Sequence, residues 1–285
     1  MSTIAILTPG PVGGGEEARW RGVLARHAET LRPAGITVES RPWTDAGDLT
    51  GFDLVLPLLA WGYHRDGAAW RASVDRWQAS GVRLQNPPEV LRWNADKTYL
   101  GRLADHGAPV VPTHFVDTLT LADMEEAAEA FGTDRLIAKP QASASAWRTI
   151  RWSPGMPIDD GPDGPAMIQP FLPTIEQGEI SLHYFGGAFS HAIRKRPQPG
   201  DFRVQPEYDG IITAHAPEPD EFAAAEAVLA AVEDPLLYAR IDLLRDETGT
   251  PLLMEAELVE PDLYVEHDPR RGAAFADAVR TATEA

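Results

Sequence analysis

The sequence predicts an α/β protein that begins with a parallel sheet and ends in antiparallel strands. Over the first 85 residues, short apolar runs alternate with helical stretches, which is the pattern of βαβ units. Near the C-terminus, two apolar runs at 238–244 and 252–258 flank a short turn segment. With 285 residues, the chain is long enough for two or three small lobes with a substantial apolar core.

The parallel part is expected to contain four strands and two helices. The loop Gly10–Gly15 is rich in glycine, but it lacks the Gly-Lys-Ser/Thr ending of a P-loop and the spacing of a dinucleotide fingerprint. We therefore interpret it as a flexible loop, with a phosphate contact as the weaker alternative. The expected strands are Thr3–Leu7, Ile36–Arg41, Leu54–Leu59 and Val82–Leu84, and the expected helices are Glu16–Leu31 and Ala69–Ser80.

A second segment opens at the proline pair 87–88. Asn94 is predicted to cap a helix that runs to His106 and stops at Gly107. A capping-box pattern at Thr120 and Asp123 predicts another helix, and 153–165 is expected to be an exposed loop. The remaining expected strands are 110–116, 135–139, 166–172, 180–185 and 188–194, and the remaining expected helices are 220–232 and 270–283.

Composition excludes several classes of function. The formal net charge of −18 argues against nonspecific binding to nucleic acid or an anionic membrane, because both need a basic surface. The absence of cysteine excludes disulfides, thiolate catalysis and cysteine-ligated zinc. No apolar run approaches the roughly 18 residues of a membrane helix, and the N-terminus lacks the features of a signal peptide. We expect a cytoplasmic protein, and the sequence is compatible with a homo-oligomer.

The C-terminal hairpin carries three carboxylates on one predicted face. If the turn closes between Asp246 and Pro251, Asp242 faces Glu255 and Arg240 faces Glu257. Like charges placed opposite each other are destabilising unless a cation neutralises them. Mg2+ prefers one or two carboxylates together with phosphate oxygens, so Asp242, Glu255 and Glu257 are candidate metal ligands. The alternative is a solvated hairpin whose outer face is merely acidic.

Two lysines are candidates for binding phosphate. Lys97 is expected in the first turn of the Asn94 helix, where the helix N-terminus favours an anion. Lys139 ends a predicted strand and precedes the small-residue stretch 141–146, which is suited to folding over a ligand. Taken singly, each lysine is more often a solvated surface cation.

Further candidates follow along the chain. Gln169, Phe171 and Leu172 lie where an apolar strand is interrupted by a proline, which leaves backbone groups free to pair with the edge of a purine. The Glu179 carboxylate is placed to accept hydrogen bonds from both hydroxyls of a ribose. Arg194, Lys195 and Arg203 belong to the one dense basic segment of an acidic chain, where a guanidinium would suit a phosphoryl group or a carboxylate. The alternatives are an exposed acid for Glu179 and a solubility patch for the basic segment.

In chain order, these residues resemble the ATP-grasp superfamily over about residues 86–265. Residues 169–179 are similar to the adenine hinge and ribose acid of its glutathione-synthetase-like branch. Two departures are an Ala/Ser-rich loop after Lys139 and Glu257 where many relatives have Asn. Residues 194–203 and 257–264 are similar to the small group that includes the D-cycloserine-forming cyclo-ligase.

The resemblance implies an ATP-grasp fold with three parts: an N-terminal α/β domain at 1–88, a central lobe at 89–172 and a C-terminal lobe with the metal site at 173–285. It implies that Lys97 and Lys139 hold ATP and that the acid triplet holds two Mg2+ ions, with Mn2+ as a substitute. A small carboxylate would be activated as an acyl phosphate and displaced by an amine, giving ADP and phosphate, either between two molecules or as a cyclisation.

The substrate is expected to bind the N-terminal lobe. Trp61, Tyr63 and His64 follow an apolar strand, and open α/β sheets bind ligands at the C-terminal ends of their strands. Ordinary loop packing is the alternative for these three residues. For the whole protein, the alternatives are an ATP-binding regulatory protein without ligase activity and a module that binds a sugar or amino acid without a nucleotide.

Overall fold

A computed structural model of the protein describes residues 2–10, 14–144, 146–204 and 208–285. It contains three sheets, and each is built from strands that are consecutive along the chain. The described helices are α1 Gly14–Leu31, α2 Gly67–Ala79, α3 Pro88–Trp93, α4 Tyr99–Asp105, α5 Leu121–Phe131, α6 Pro219–Ala231 and α7 Ala273–Glu284. Residues 11–13 of the glycine-rich loop and Gln205 of the basic segment lie outside the described residues.

The N-terminal sheet is parallel, as the sequence predicts. Its strands are β1 Ser2–Thr8, β2 Ile36–Pro42 and β3 Leu54–Leu56, in the order β2-β1-β3. The expected fourth strand is reduced to a single parallel bridge between Leu84 and Val55. Helix α2 begins at Asp66, whose carboxylate accepts a hydrogen bond of 2.9 Å from the Ala69 amide.

The predicted helix from Asn94 to His106 has the predicted end at His106 and Gly107, but its predicted start at Asn94 is wrong. Helix α3 ends at Trp93 with Asn94 as its C-cap, and α4 starts only at Tyr99. The Asn94 side chain is buried, donates to the Ala256 carbonyl at 2.8 Å and accepts from the Leu258 amide at 2.9 Å. Because the Asn94 side chain ties this segment to the C-terminal hairpin, it does not serve as an N-cap, and Lys97 lies in the turn between α3 and α4 rather than in a first helical turn.

The central sheet is antiparallel, with the order β4-β7-β5-β6. The capping box that the sequence predicts for α5 is present, with both the Thr120 and the Asp123 side chains hydrogen-bonded across the turn. This sheet and α5 enclose their own small core around Met124, Leu136 and Ile168. The strands are β4 His114–Val116, β5 Leu136–Pro140, β6 Ile150–Trp152 and β7 Ala166–Pro170.

The C-terminal sheet is antiparallel, with the order β10-β9-β8-β11-β12. Its hairpin has the predicted register, with Arg240 opposite Glu257 and Asp242 opposite Glu255. Gly249 in the turn has a φ of +88°, a conformation that favours glycine. The strands are β8 Glu179–Phe185, β9 Ala188–Arg196, β10 Ile211–His215, β11 Tyr238–Arg245 and β12 Pro251–Glu257.

The N-terminal and C-terminal sheets share core residues. Leu237, Tyr238 and Phe275 pack in one apolar cluster with Ile4 and Leu56 of the N-terminal sheet. The buried Asn86 side chain donates to the carbonyls of Tyr238 (2.9 Å) and Leu258 (2.8 Å) and accepts from the Leu237 amide at 2.8 Å. Among the described helices, none is both long and apolar enough to cross a membrane.

Candidate active site

A cavity of about 670 Å³ opens where the three sheets meet. Seven acidic and seven cationic side chains line it, so it is a locally neutral region in a chain of net charge −18. A cleft of this size and charge can take a polyanion that the remaining surface would repel. The cavity brings together fourteen of the fifteen residues that the sequence nominates, Arg194 being the exception.

The acidic face of the hairpin is neutralised by cations of the same site. The Arg240 guanidinium contacts the Asp242 carboxylate at 3.0 Å and also pairs with Glu257. Lys97 donates to Glu255 at 2.7 Å. Three carboxylates on one face need compensating charge, and these ion pairs provide it.

Lys195 is buried between two carboxylates. Its ammonium pairs with Glu179 and lies 3.1 Å from Asp242. Burial works to lower the pKa of Lys195, but Asp242 and Glu179 outweigh it and raise the pKa. The alternative interpretation of the basic segment as a solubility patch therefore fails at Lys195, which is only 4% exposed and lines the cavity.

Arg194 does not line the cavity, because side chains alternate along β9 and Lys195 faces inward. The Arg194 guanidinium instead donates to the Gln177 carbonyl at 3.3 Å. Its stem packs against Gly178, where an added Cβ would lie 2.8 Å from the Arg194 Cγ. This placement gives Arg194 a structural contact and no access to a reacting group.

Lys97 and Lys139 both reach the cavity, but their electrostatic settings differ. Besides Glu255, Lys97 donates to the Ser143 carbonyl at 3.1 Å. Burial works to lower the pKa of Lys97, but the charge and hydrogen bond of Glu255, together with the charges of Glu257 and Asp96, outweigh it, so the pKa is raised. For Lys139, the described residues provide no hydrogen bond or ion pair to its ammonium, and burial lowers its pKa to about 8. Lys139 is thus a cation without a counter-ion at the edge of the cavity.

Gln169, Phe171 and Leu172 line the cavity at the end of β7. The Gln169 amide donates to the Thr113 hydroxyl at 2.9 Å, and the Phe171 backbone amide is engaged with the Arg135 carbonyl at 2.8 Å. For the Leu172 backbone amide, the described part of the chain offers no partner. Of the Phe171 and Leu172 backbone amides, the one at Leu172 is therefore available to a ligand edge.

Arg203 lies at an exposed edge of the cavity, in a segment without regular structure. It pairs with Asp201 at 2.8 Å, its guanidinium lies 3.8 Å from the centre of the Tyr208 ring, and its side chain is 37% exposed. It lines the cavity, but it is less enclosed than Arg240, whose side chain is 8% exposed. Arg240 was not among the catalytic candidates predicted from the sequence, although its predicted position opposite Glu257 was a usable signal.

The N-terminal lobe contributes Trp61, Tyr63 and His64 to the cavity wall. The Arg19 guanidinium lies 4.6 Å from the centre of the Trp61 ring. Burial lowers the pKa of His64 to about 4, and Arg65 and Lys97 add to this effect, so the imidazole is neutral near pH 7. Arg19 of α1 and Glu260, which follows β12, also line the cavity. Neither was predicted from the sequence as a site residue.

The donor set of the hairpin fits a divalent cation of the magnesium type. Asp242, Glu255 and Glu257 supply only oxygen donors, which hard cations prefer. In the described part of the chain, no three His, Asp or Glu side chains lie close enough together to hold a metal by themselves. Asp242, Glu255 and Glu257 are each paired with a cation of the protein instead. A bound metal would take over compensation that Lys97, Lys195 and Arg240 now provide.

Comparison with known proteins assigns the chain to a family. Residues 4–86 match the family described as D-cycloserine synthetase DcsG, N-terminal domain. The cycloserine biosynthesis protein DcsG of Streptomyces lavendulae is 30% identical over 279 residues, which cover 88% of this chain and 90% of that protein. The glutathione synthetase of Prochlorococcus marinus (strain MIT 9313) is 28% identical over 284 residues, covering 90% and 84%.

Among solved structures, that of D-cycloserine synthetase DcsG superposes with a TM-score of 0.83 at 26% identity and covers 99% of both chains. The predicted ATP-grasp fold and the predicted branch are therefore confirmed. The chain belongs to the DcsG-like group of the ATP-grasp superfamily and is a carboxylate–amine ligase.

Proposed function

We propose that this ligase uses ATP to activate a small, amino-acid-like carboxylate as an acyl phosphate, which an amine then displaces to release phosphate. The observation that supports the proposal most strongly is the set of ion pairs in one cavity. Lys97 with Glu255, Lys195 with Glu179 and Asp242, and Arg240 with Glu257 place buried cations and metal-type acids side by side. Phosphoryl transfer needs this combination, because it depends on positioning and charge compensation rather than on a protein nucleophile.

In this proposal, the nucleotide lies between the central and C-terminal sheets. The adenine would lie against Phe171 and pair with the Leu172 amide, and Glu179 would accept the ribose hydroxyls. Lys97 and Lys139 would contact the phosphates from opposite sides. Asp242, Glu255 and Glu257 would hold Mg2+, which when bound would screen the phosphate oxygens and polarise the phosphorus.

The chemistry then proceeds in two balanced steps. A carboxylate oxygen of the substrate attacks the γ-phosphorus, and the bond to the bridging oxygen breaks, so that ADP leaves. The amine nitrogen attacks the acyl carbonyl, the bond to the phosphate oxygen breaks, and the nitrogen loses a proton. Arg240, Lys195 and Arg203 would stabilise the negative charge that develops on the phosphoryl oxygens and on the tetrahedral intermediate.

A more specific form of the proposal is that the ligase cyclises a single substrate. The similarity to the cycloserine biosynthesis protein extends over 88% of this chain, and residues 4–86 match the N-terminal domain of that enzyme. A cyclo-ligase would carry the carboxylate and the nucleophilic nitrogen in one substrate. A two-substrate ligase, as in the glutathione-synthetase type, would require a second amine for turnover.

The test is a screen for release of phosphate and ADP with Mg2+-ATP. The panel contains amino acids of both configurations, dipeptides and hydroxy acids, each alone and with added amines. A substrate with an 18O-labelled carboxylate should transfer one labelled oxygen to the released phosphate, because the acyl phosphate contains that oxygen. Release of unlabelled phosphate would exclude the acyl phosphate, and a substrate that reacts fully without added amine would identify cyclisation.

A further inference from the structure

Glu260 occupies the seam between the N-terminal and C-terminal lobes. It follows the end of β12 by three residues, and the adjacent Val259 is buried, with its carbonyl accepting a hydrogen bond of 2.9 Å from the Tyr238 hydroxyl. Glu260 lines the cavity and is close enough to Tyr63 of the N-terminal lobe for its charge to raise the pKa of that phenol, after the larger effect of burial. It therefore lies on the side of the cavity where the substrate is expected.

The carboxylate of Glu260 has no compensating partner among the described residues. Its Oε2 atom is buried and makes no hydrogen bond. Asp242, Glu255, Glu257 and Glu179, the acids of the nucleotide side, each pair with a lysine or arginine. Burial, together with the nearby Glu257, holds the pKa of Glu260 well above its usual range.

The cations near Glu260 are occupied elsewhere. Lys97 pairs with Glu255, Arg240 pairs with Asp242 and Glu257, and Arg19 lies over Trp61. These three act on Glu260 only through space. A buried carboxyl group either takes up a proton or is met by a cation, and a cation on the ligand would let Glu260 bind as a carboxylate.

A protonated amine fits this position better than a metal ion. A metal would need several oxygen donors, whereas the acid whose charge acts on Glu260, Glu257, is already paired with Arg240. An ammonium needs only one carboxylate with free lone pairs and provides three donors in a compact group. An amino acid carries this ammonium a short distance from the carboxylate that the phosphate side activates.

We propose that Glu260 binds the protonated amine of the substrate and thereby selects an amino acid over the corresponding hydroxy acid or N-acyl acid. This inference rests on the proposed function of the cavity and names the class of its substrate. It assigns Glu260 a role in specificity, separate from the nucleotide and metal ligands. Sites built to bind a polar substrate group reject analogues that lack the group, because the protein partner is then left buried and unpaired.

The experiment compares the parent protein with Glu260→Gln, Glu260→Asp and the matched control Glu247→Gln, which changes an exposed acid in the turn of the same hairpin. The probes are the common α-amino acids in both configurations, each beside its 2-hydroxy and N-acetyl counterparts, assayed by phosphate release with saturating Mg2+-ATP. In the parent, kcat/KM for the best amino acid should exceed that of its counterparts by about 10²-fold or more.

In Glu260→Gln, we expect KM for the amino acid to rise by about 10²-fold, while KM for ATP stays within about twofold. The preference over the hydroxy acid should collapse, and Glu260→Asp should retain part of it. The melting temperature of Glu260→Gln should equal or exceed that of the parent, because an uncompensated carboxylate is removed. Glu247→Gln should behave as the parent in every assay.

Two failures are distinguishable. If the parent releases phosphate equally well with amino acids and with hydroxy or N-acetyl acids, or if Glu260→Gln keeps the parent preference, the proposed function stands and the role of Glu260 is overturned. If the parent releases phosphate with no carboxylate, the proposed function itself is overturned and the role of Glu260 with it.

Discussion

The two sides of the cavity handle buried charge in opposite ways. On the hairpin side, Asp242, Glu255 and Glu257 are matched by cations of the protein, so the acidic face is stable without a ligand. At the edges, Lys139 and Glu260 have no ion-pair partner in the described part of the chain. The matched residues must exchange partners when a ligand binds, whereas the unmatched residues gain one. Mutations on the two sides should therefore differ in the sign of their effect on stability.

The largest effect is expected at the matched acids. Glu255→Gln removes a charged oxygen donor from the proposed metal site, and Mg2+-dependent ATP turnover should fall by about 10³-fold or more. The measurement is phosphate release over a Mg2+ titration, beside Glu247→Gln in the same hairpin as a control. Parent-level turnover of Glu255→Gln at saturating Mg2+ would exclude Glu255 as a metal ligand.

Replacing two arginines of the cavity compares a buried cation, Arg240, with a more exposed one, Arg203. Arg240→Met should reduce turnover by about 10²- to 10³-fold, since it removes a preorganised donor. It should also reduce the free energy of unfolding by about 3–5 kcal/mol, because Asp242 loses a partner while buried. Arg203→Met, on the exposed rim, should reduce turnover less and leave the unfolding midpoint in urea unchanged. Equal losses of turnover in both variants would place Arg203 at the reacting groups as well.

Lysine replacements test the contrast in stability directly. Lys97→Met leaves the partly buried Glu255 without its lysine, so the free energy of unfolding should fall by about 1–3 kcal/mol. Lys139→Met removes a buried ammonium without a partner, so the free energy of unfolding should stay the same or rise by about 1 kcal/mol. Both variants should bind ATP more weakly. Urea denaturation without nucleotide, beside ATP titration, provides the measurements, and a loss of stability in Lys139→Met would contradict the contrast.

The smallest effect is a pH dependence of ATP affinity. Because the pKa of Lys139 in the free protein is lowered to about 8, its ammonium deprotonates above that pH and stops attracting phosphate. The dissociation constant of ATP should therefore rise above pH 8 by up to about tenfold per pH unit. Lys97 should not contribute, because its pKa is raised. Lys139→Arg keeps its charge over this range and should show a flat profile, so parallel curves for parent and variant would remove Lys139 from the phosphate site.

Local patterns in the sequence were sufficient to predict the hairpin. The apolar runs and the turn residues set the register, and the register alone places Asp242 opposite Glu255 and Arg240 opposite Glu257. The capping box of α5 is equally local, because both partners lie within one turn. Interactions inside one element or between adjacent strands can be predicted because they depend on the spacing of residues along the chain.

Long-range hydrogen bonds could not be predicted in this way. Asn94 has the side chain of a helix cap, but it is tied to Ala256 and Leu258, which lie more than 160 positions along the chain. Lys195 was predicted as a site residue, but its ion pairs were hidden, since its burial between Glu179 and Asp242 depends on the pairing of β8 with β9 and β11. Strand alternation along β9 could have separated Lys195 from Arg194, but the sequence does not show which face is covered.

The core that the N-terminal and C-terminal sheets share limits whether the N-terminal region can be exchanged between related ligases. The described N-terminal sheet relies on Phe275 and Val279 of α7 and on Leu237 and Tyr238 before and in β11 to cover one face. A transplanted segment 1–88 would leave that apolar face open to solvent, which favours aggregation. Chimeras designed to change substrate preference should therefore carry α7 along with the N-terminal segment, because the two pack in one apolar core.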